Sequence, residues 1–91
     1  MIDNKSTEIR AFIDYLKFEK RYSVHTIISY QTDLSSFFEY LGKQYGELLL
    51  MDITHSIIRS WLADLKEKKL TSKSINRKIS TLRSFFKYHL K

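Results

Sequence analysis

Several residue types that would define a site are absent or scarce in this 91-residue chain. Without cysteine there is neither a disulfide framework nor a thiolate metal site, and the three histidines lie 30 and 34 residues apart rather than one helical turn apart. No apolar run approaches the roughly 18 residues of a membrane span, and the first residues lack the pattern of a signal peptide. We therefore expect no metal, no cofactor and no membrane partner, and a cytoplasmic location.

Proline is also absent, and the only glycines, Gly42 and Gly46, lie together near the middle. Long segments on either side are therefore free to form helices. Apolar residues make up 43% of the chain and aromatic residues 14%, which favours a folded core over a disordered basic tail. The sequence predicts one all-α domain over residues 1–91, with helices at about 7–20, 24–41, 55–69 and 73–90.

Local signals set the expected helix ends. Gly42 should close the second helix in a left-handed conformation, which makes residues 43–52 the longest loop. Short connections between helices favour two antiparallel helical hairpins packed together as a four-helix bundle. The candidate N-caps, with side chains that can accept from free backbone N–H groups, are Ser6 or Thr7, Ser23, Thr54 and Ser72.

The positive charge of the chain is concentrated in its last third. Residues 65–91 carry a net charge of +8, whereas residues 1–64 carry −2. Such a distribution indicates a polyanionic partner, although a solvated basic face without a partner is an equally common origin of a charge run.

The predicted fourth helix has two contrasting faces. Ile75, Ile79, Leu82 and Phe86 form the expected core stripe, with Phe85 and Leu90 at its margins. No acid occurs from Lys73 onward, whereas a helix that needed only solubility would mix charges of both signs. Cations and small hydroxyl residues can bind phosphates and the edges of guanine bases. The residues of these types expected opposite the core stripe or on its flanks are Lys73, Arg77, Lys78, Ser80, Thr81, Arg83, Ser84, Lys87 and Lys91.

The start of the second helix carries uncharged donors. His25, Thr26, Ser29 and Thr32 face outward near the positive end of the helix dipole, where phosphates bind readily. Ordinary capping and surface polarity explain the same residues, and for this segment taken alone they are the favoured interpretation.

Both segments resemble the amino-terminal domain of tyrosine recombinases, most closely its phage-integrase and Xer-like members. Residues 23–34, SVHTIISYQTDL, followed by FFEYL at 37–41, are similar to its S-x-x-T-x-x-x-Y-x-x-D-L-x-x-F pattern. Residues 72–88, SKSINRKISTLRSFFKY, resemble its last helix, and Asp52-Ile53-Thr54 is also similar. The resemblance departs at Arg21-Tyr22, where the family often has glycine.

The resemblance implies a SAM-like fold of two crossed helical hairpins lying across duplex DNA. The residues it places near DNA are His25, Thr26, Ser29, Tyr30, Arg77, Lys78, Ser80, Thr81 and Arg83. Tyr30 lies at the edge of the apolar stripe, so its ring is equally consistent with a purely structural role, and Arg83 is placed where it can brace a neighbouring helix. The family's Tyr nucleophile belongs to a downstream catalytic domain that this chain lacks.

The function predicted is sequence-specific binding of duplex DNA, with no catalysis by this chain itself. The DNA-binding set comprises the nine residues above together with Lys73, Ser84 and Lys87. Other recombinase protomers are expected partners on a recombination or attachment site, in a bacterial or phage protein. The leading alternative is a helical protein-interaction module, and a basic helix lying on an anionic membrane is a weaker one.

Overall fold

The computed structural model describes residues 5–90, which form four α-helices and no strand. These are α1 (Ser6–Phe18), α2 (Val24–Tyr45), α3 (His55–Glu67) and α4 (Ser72–Leu90), with a single 3₁₀ turn at Leu50–Asp52. The predicted all-α class is confirmed. Lys91, expected on the basic face, lies outside the described residues.

Hydroxyl caps begin three of the helices. The Ser23 side chain accepts from the Thr26 N–H at 3.2 Å and the Thr54 side chain from the Ile57 N–H at 3.3 Å, as predicted. The cap of α4 was predicted wrongly, because Thr71 rather than Ser72 accepts from the N–H three residues ahead, at 3.2 Å. The bond needs an extended residue before the first helical turn, and Ser72 is already helical.

The first helix begins without either predicted cap. Ser6 and Thr7 both lie inside α1, and Lys5 takes the N-cap position with a left-handed φ of 63°. The Lys5 carbonyl accepts from the Ile9 N–H at 2.9 Å, which closes the first turn. The turn that precedes α2 is also left-handed, at Arg21 with a φ of 56°, so arginine adopts there a conformation that glycine takes more readily.

The second helix is longer than predicted. Gly42 lies within α2, and the helix ends only at Gly46, which has a φ of 77° and a ψ of −155°. An interior glycine costs a helix only about 1 kcal/mol. That cost is too small to stop a helix by itself, so α2 continues through Gly42 and the predicted loop is shortened.

Helix α4 is the central element and contacts α1, α2, α3 and the 3₁₀ turn. Its Phe85 is fully buried, with the ring centroid 5.5 Å from those of Phe12 on α1 and Phe38 on α2. On the other side, Phe37 of α2 packs edge-to-face on Trp61 of α3 at 5.0 Å. Aromatic contacts of this kind join all four helices into one core.

The buried face of α4 differs from the predicted stripe. At 100° per residue its centre is rotated by about 65° toward α2. Ile79 and Phe86, predicted to face the core, are only half-buried, and Leu90 is exposed. The residues that are buried on this helix are Ile75, Lys78, Thr81, Leu82 and Phe85.

Candidate nucleic-acid interface

One buried carboxylate organises the contact between α2 and α4. Asp33 of α2 is completely inaccessible to solvent and accepts hydrogen bonds from three residues of α4. Arg77 donates through Nη2 to Oδ1 at 2.7 Å and through Nε to Oδ2 at 3.2 Å. The Lys78 ammonium lies 2.7 Å from Oδ1, and the Thr81 hydroxyl lies 3.0 Å from Oδ2. We call these four residues the Asp33 cluster.

The Asp33 cluster holds its carboxylate in the charged form. Burial by itself raises the pKa of Asp33, but hydrogen bonds from Arg77, Lys78 and Thr81, together with the charge of Lys78, outweigh it and lower that pKa. One carboxylate faces two cations, so the cluster keeps a net positive charge. Lys78 is only 8% exposed, whereas the Arg77 side chain is 51% exposed and presents that charge at the surface.

Two residues predicted to face outward on α4 are therefore buried. Lys78 and Thr81 point toward α2, so the expectation that they lie on the outer face was wrong. A lysine and a threonine are buried without penalty only when their polar groups are paired, and Asp33 supplies that pairing. Lys78 and Thr81 therefore hold in place the carboxylate that binds Arg77, and they are not surface groups.

The remaining predicted residues of α4 form an outward stripe. We define the α4 stripe as Lys73, Arg77, Ser80, Ser84 and Lys87, which recur every three or four positions. All are exposed except Ser84, which is half-buried. Within residues 5–90, the ammonium groups of Lys73 and Lys87 have no carboxylate partner.

The start of α2 lies beside this stripe. Tyr30 lines one surface pocket together with Ser84 and Lys87, and Asp33, one turn later, contacts Arg77. His25 and Thr26 are exposed one turn and more before Tyr30, and Ser29 is half-buried. The structure thus brings the two predicted segments together. Tyr30 is half-buried, with its ring 5.9 Å from that of Phe12, so it packs on the core and still reaches the surface.

Arg83 is exposed on a different side of α4. It lines an apolar groove between α3 and α4 with Arg59, Ile58, Leu62 and Phe86. This position agrees with the alternative that Arg83 lies against a neighbouring helix, and it separates Arg83 from the α4 stripe.

Sequence reasoning missed the role of Asp33. No acid occurs on the fourth helix itself, but an acid 44 residues before Arg77 in the sequence pairs with that arginine. The available signal was a lone aspartate on the apolar side of the second helix, between Tyr30 and Leu34. A carboxylate at such a position needs a cationic partner from another element.

No group of His, Asp and Glu side chains within residues 5–90 is arranged to hold a metal ion. Across the same residues, no helix combines the length and apolar character needed to span a bilayer.

Comparison with known proteins identifies the class. The model of the phage integrase N-terminal SAM-like domain matches residues 9–91, and the chain belongs to that family.

Its curated relatives are tyrosine recombinases. The chain is 38% identical to tyrosine recombinase XerC of Anoxybacillus flavithermus over 90 residues, which cover 99% of this chain and 30% of the relative. It is 39% identical to XerC of Bacillus licheniformis over 97% of the chain and 29% of the relative, and 41% identical to XerD of Rickettsia bellii over 88% and 26%. The chain thus spans less than a third of the length of these relatives. No solved structure matches it with significance.

Proposed function

We propose that this domain binds duplex DNA through the α4 stripe and the start of α2. It thereby positions on a recombination site the catalytic domain that the rest of a Xer-type recombinase supplies. Strand cleavage and rejoining belong to that other domain, and further protomers on the same DNA are the expected protein partners. Its place of action is the cytoplasm, where the DNA is.

The observation that carries this proposal is the Asp33 cluster. It fixes Arg77, at the middle of an acid-free stripe, against the helix that carries His25 and Thr26. Two of the five guanidinium donors of Arg77 are used by Asp33, and the others remain available at the surface. An arginine held in this way is preorganised for a phosphate or a guanine edge, because little side-chain entropy remains to be lost on binding.

Hydroxyl residues add to this surface. Ser80 and Ser84 are short, so they let the backbone of α4 approach a DNA strand closely between the longer cations on either side. Thr26 and Ser23 hydroxyls cluster at the start of α2, with 3.0 Å between their oxygens. Hydroxyl groups, like cations and backbone N–H groups, donate to phosphate oxygens, and such contacts fix the register of a protein on the duplex.

Duplex binding measured over a range of salt concentrations tests the proposal. With about six phosphate contacts, the logarithm of affinity should fall against the logarithm of salt concentration with a slope of roughly −5. A duplex pool enriched by the domain itself should yield a preferred sequence. Absence of binding even at low salt, or self-association without DNA binding, would favour the protein-interaction alternative.

Matched lysine variants locate the surface. Lys73→Gln removes one charge from the α4 stripe and should reduce the salt slope by about 0.9. Lys66→Gln removes the same charge from the exposed end of α3, outside the proposed surface, and should leave the slope nearly unchanged. Equal effects of the two substitutions would show that binding follows total charge rather than this face.

A further inference from the structure

A polar pocket lies at one end of the proposed DNA surface, where α1, α2 and α4 meet. It encloses about 200 Å³ and opens to solvent. Its floor is aromatic, with the rings of Tyr15 and Tyr88 4.7 Å apart and that of Phe12 5.6 Å from Tyr88. Lys20, Tyr22, Tyr30, Ser84 and Lys87 complete the lining.

The polar groups of this pocket are donors that the fold leaves unused. Within residues 5–90, the hydroxyls of Tyr15, Tyr22, Tyr30, Tyr88 and Ser84 have no hydrogen-bond partner, and neither lysine has an ion pair. Lys20 lies 5.9 Å above the Tyr15 ring, which keeps its charge at the rim. No carboxylate lines the pocket. Two positive charges and several O–H donors around one concavity are the chemistry that recognises a phosphate.

A turn with a left-handed residue places Lys20 and Tyr22 at the pocket. The left-handed Arg21 reverses the chain after α1, and the Tyr22 N–H donates to the Leu16 carbonyl at 3.1 Å. This turn sets the Tyr22 ring 6.0 Å from that of Tyr30, nearly parallel to it. Lys20 and Tyr22 thus come from a segment that carries none of the predicted DNA contacts, yet they lie beside Ser84 and Lys87 of the α4 stripe.

We propose that this pocket binds one backbone phosphate of the duplex, with Lys20 and Lys87 supplying charge and the hydroxyls of Tyr22, Tyr30 and Ser84 supplying hydrogen bonds. The inference rests on the proposed function and extends the DNA surface from α2 and α4 to the turn that follows α1. A backbone phosphodiester suits the site because the pocket is open and continuous with the α4 stripe.

A charge variant in the turn after α1 tests the pocket. Lys20→Gln should lower duplex affinity roughly fivefold to tenfold at 0.1 M salt and flatten the salt slope by about 0.9. Lys17→Gln makes the same change three residues earlier, in the last turn of α1 and outside the pocket, and should alter affinity less than about twofold. Thermal unfolding of both variants shows whether the fold is retained.

A hydroxyl variant gives an independent readout. Tyr30→Phe keeps the packed ring but removes a neutral donor, so affinity should fall about threefold or more while the salt slope stays the same, because no counterion is involved. Tyr45→Phe, at the far end of α2, is the matched control and should have no effect.

The outcomes separate this proposal from the proposed function. If the unaltered domain binds no duplex, both are overturned. If it binds, but Lys20→Gln equals Lys17→Gln and Tyr30→Phe changes nothing, only the pocket proposal is overturned. Inorganic phosphate titrated without DNA and followed by NMR should perturb the pocket residues at millimolar concentration. If phosphate perturbs the pocket residues while Lys20→Gln binds DNA normally, the pocket binds free phosphate and its assignment to DNA is wrong.

Discussion

Replacing Asp33 by asparagine should be the most damaging single polar substitution in this domain. The change keeps the shape of the side chain but removes the charge that pairs with Arg77 and Lys78. The amide can still accept from one donor through its oxygen, but its NH₂ group meets a second donor where a carboxylate oxygen accepted. Lys78 is only 8% exposed, and its ammonium is left with no counter-charge.

The expected cost follows from that burial. Removing one partner of a buried ion pair costs about 3–5 kcal/mol, because the remaining charge stays desolvated. Arg77 is half-exposed and can recover hydration, so we expect the lower end, about 3 kcal/mol. A domain of this size has a free energy of unfolding of roughly 5–14 kcal/mol. The loss should appear as a fall in Tm of about 12–24 °C.

Urea unfolding of Asp33→Asn against two further variants measures this cost. Asp64→Asn removes a carboxylate from a partly exposed pair with Lys68 and should cost less than about 0.5 kcal/mol. Lys78→Met, added to Asp33→Asn, replaces the stranded ammonium by an apolar side chain of similar length. The double variant should therefore regain about 1–2 kcal/mol relative to Asp33→Asn alone.

Two results would refute this reasoning. One is a loss below about 1 kcal/mol in Asp33→Asn, which would mean that Lys78 reaches water readily. The other is additivity of the free-energy costs of Asp33→Asn and Lys78→Met, which would mean that the Asp33 carboxylate and the Lys78 ammonium do not depend on each other.

Acid stability and the ends of two helices are the subject of three further predictions. The pKa of Asp33 is lowered in the folded state, so the stabilisation by its charge is complete above the unfolded pKa of about 4 and is lost as pH falls through the folded pKa. Unfolding midpoints measured from pH 5 to pH 2 should therefore decline less steeply in Asp33→Asn than in the unaltered domain. Thr71→Ala should cost about 1 kcal/mol in urea unfolding by removing the cap of α4, whereas Ser72→Ala should cost nearly nothing; the reverse order would restore Ser72 as the cap. Gly46→Ala should cost about 1–3 kcal/mol by thermal unfolding, because alanine is strained at the positive φ of this residue. An added Cβ meets no atom within 4 Å, so the penalty comes from the backbone conformation alone, and an unchanged Tm would contradict it.

The helices were predictable because their signals are local. Apolar periodicity and the hydroxyl caps at Ser23 and Thr54 depend on neighbours within one or two turns, and the structure has helices in all four predicted segments. The errors occurred where a local signal had a competitor. Of the two glycines, Gly46 rather than Gly42 ends α2, and Thr71 rather than Ser72 caps α4.

The candidate site was predictable only in outline. The α4 stripe and the start of α2 were found from the charge pattern and the resemblance, and their part in DNA binding remains a prediction. The orientation of α4 was not available from its own sequence, since its most apolar arc differs from its buried arc. The buried arc includes Lys78 and Thr81, which both pair with Asp33, and the pairing of Lys78 with Asp33 spans 45 residues of chain.

The sequence by itself determined the all-α class, the approximate positions of four helices and the concentration of positive charge in the last of them. Each of these depends on residue order over a few turns or on composition. Only the tertiary structure decided which cations face solvent, because a lysine is buried or exposed according to whether another helix brings it a carboxylate. The same packing brought Lys20 and Tyr22 beside Ser84 and Lys87, since a pocket among three helices exists only once those helices have met.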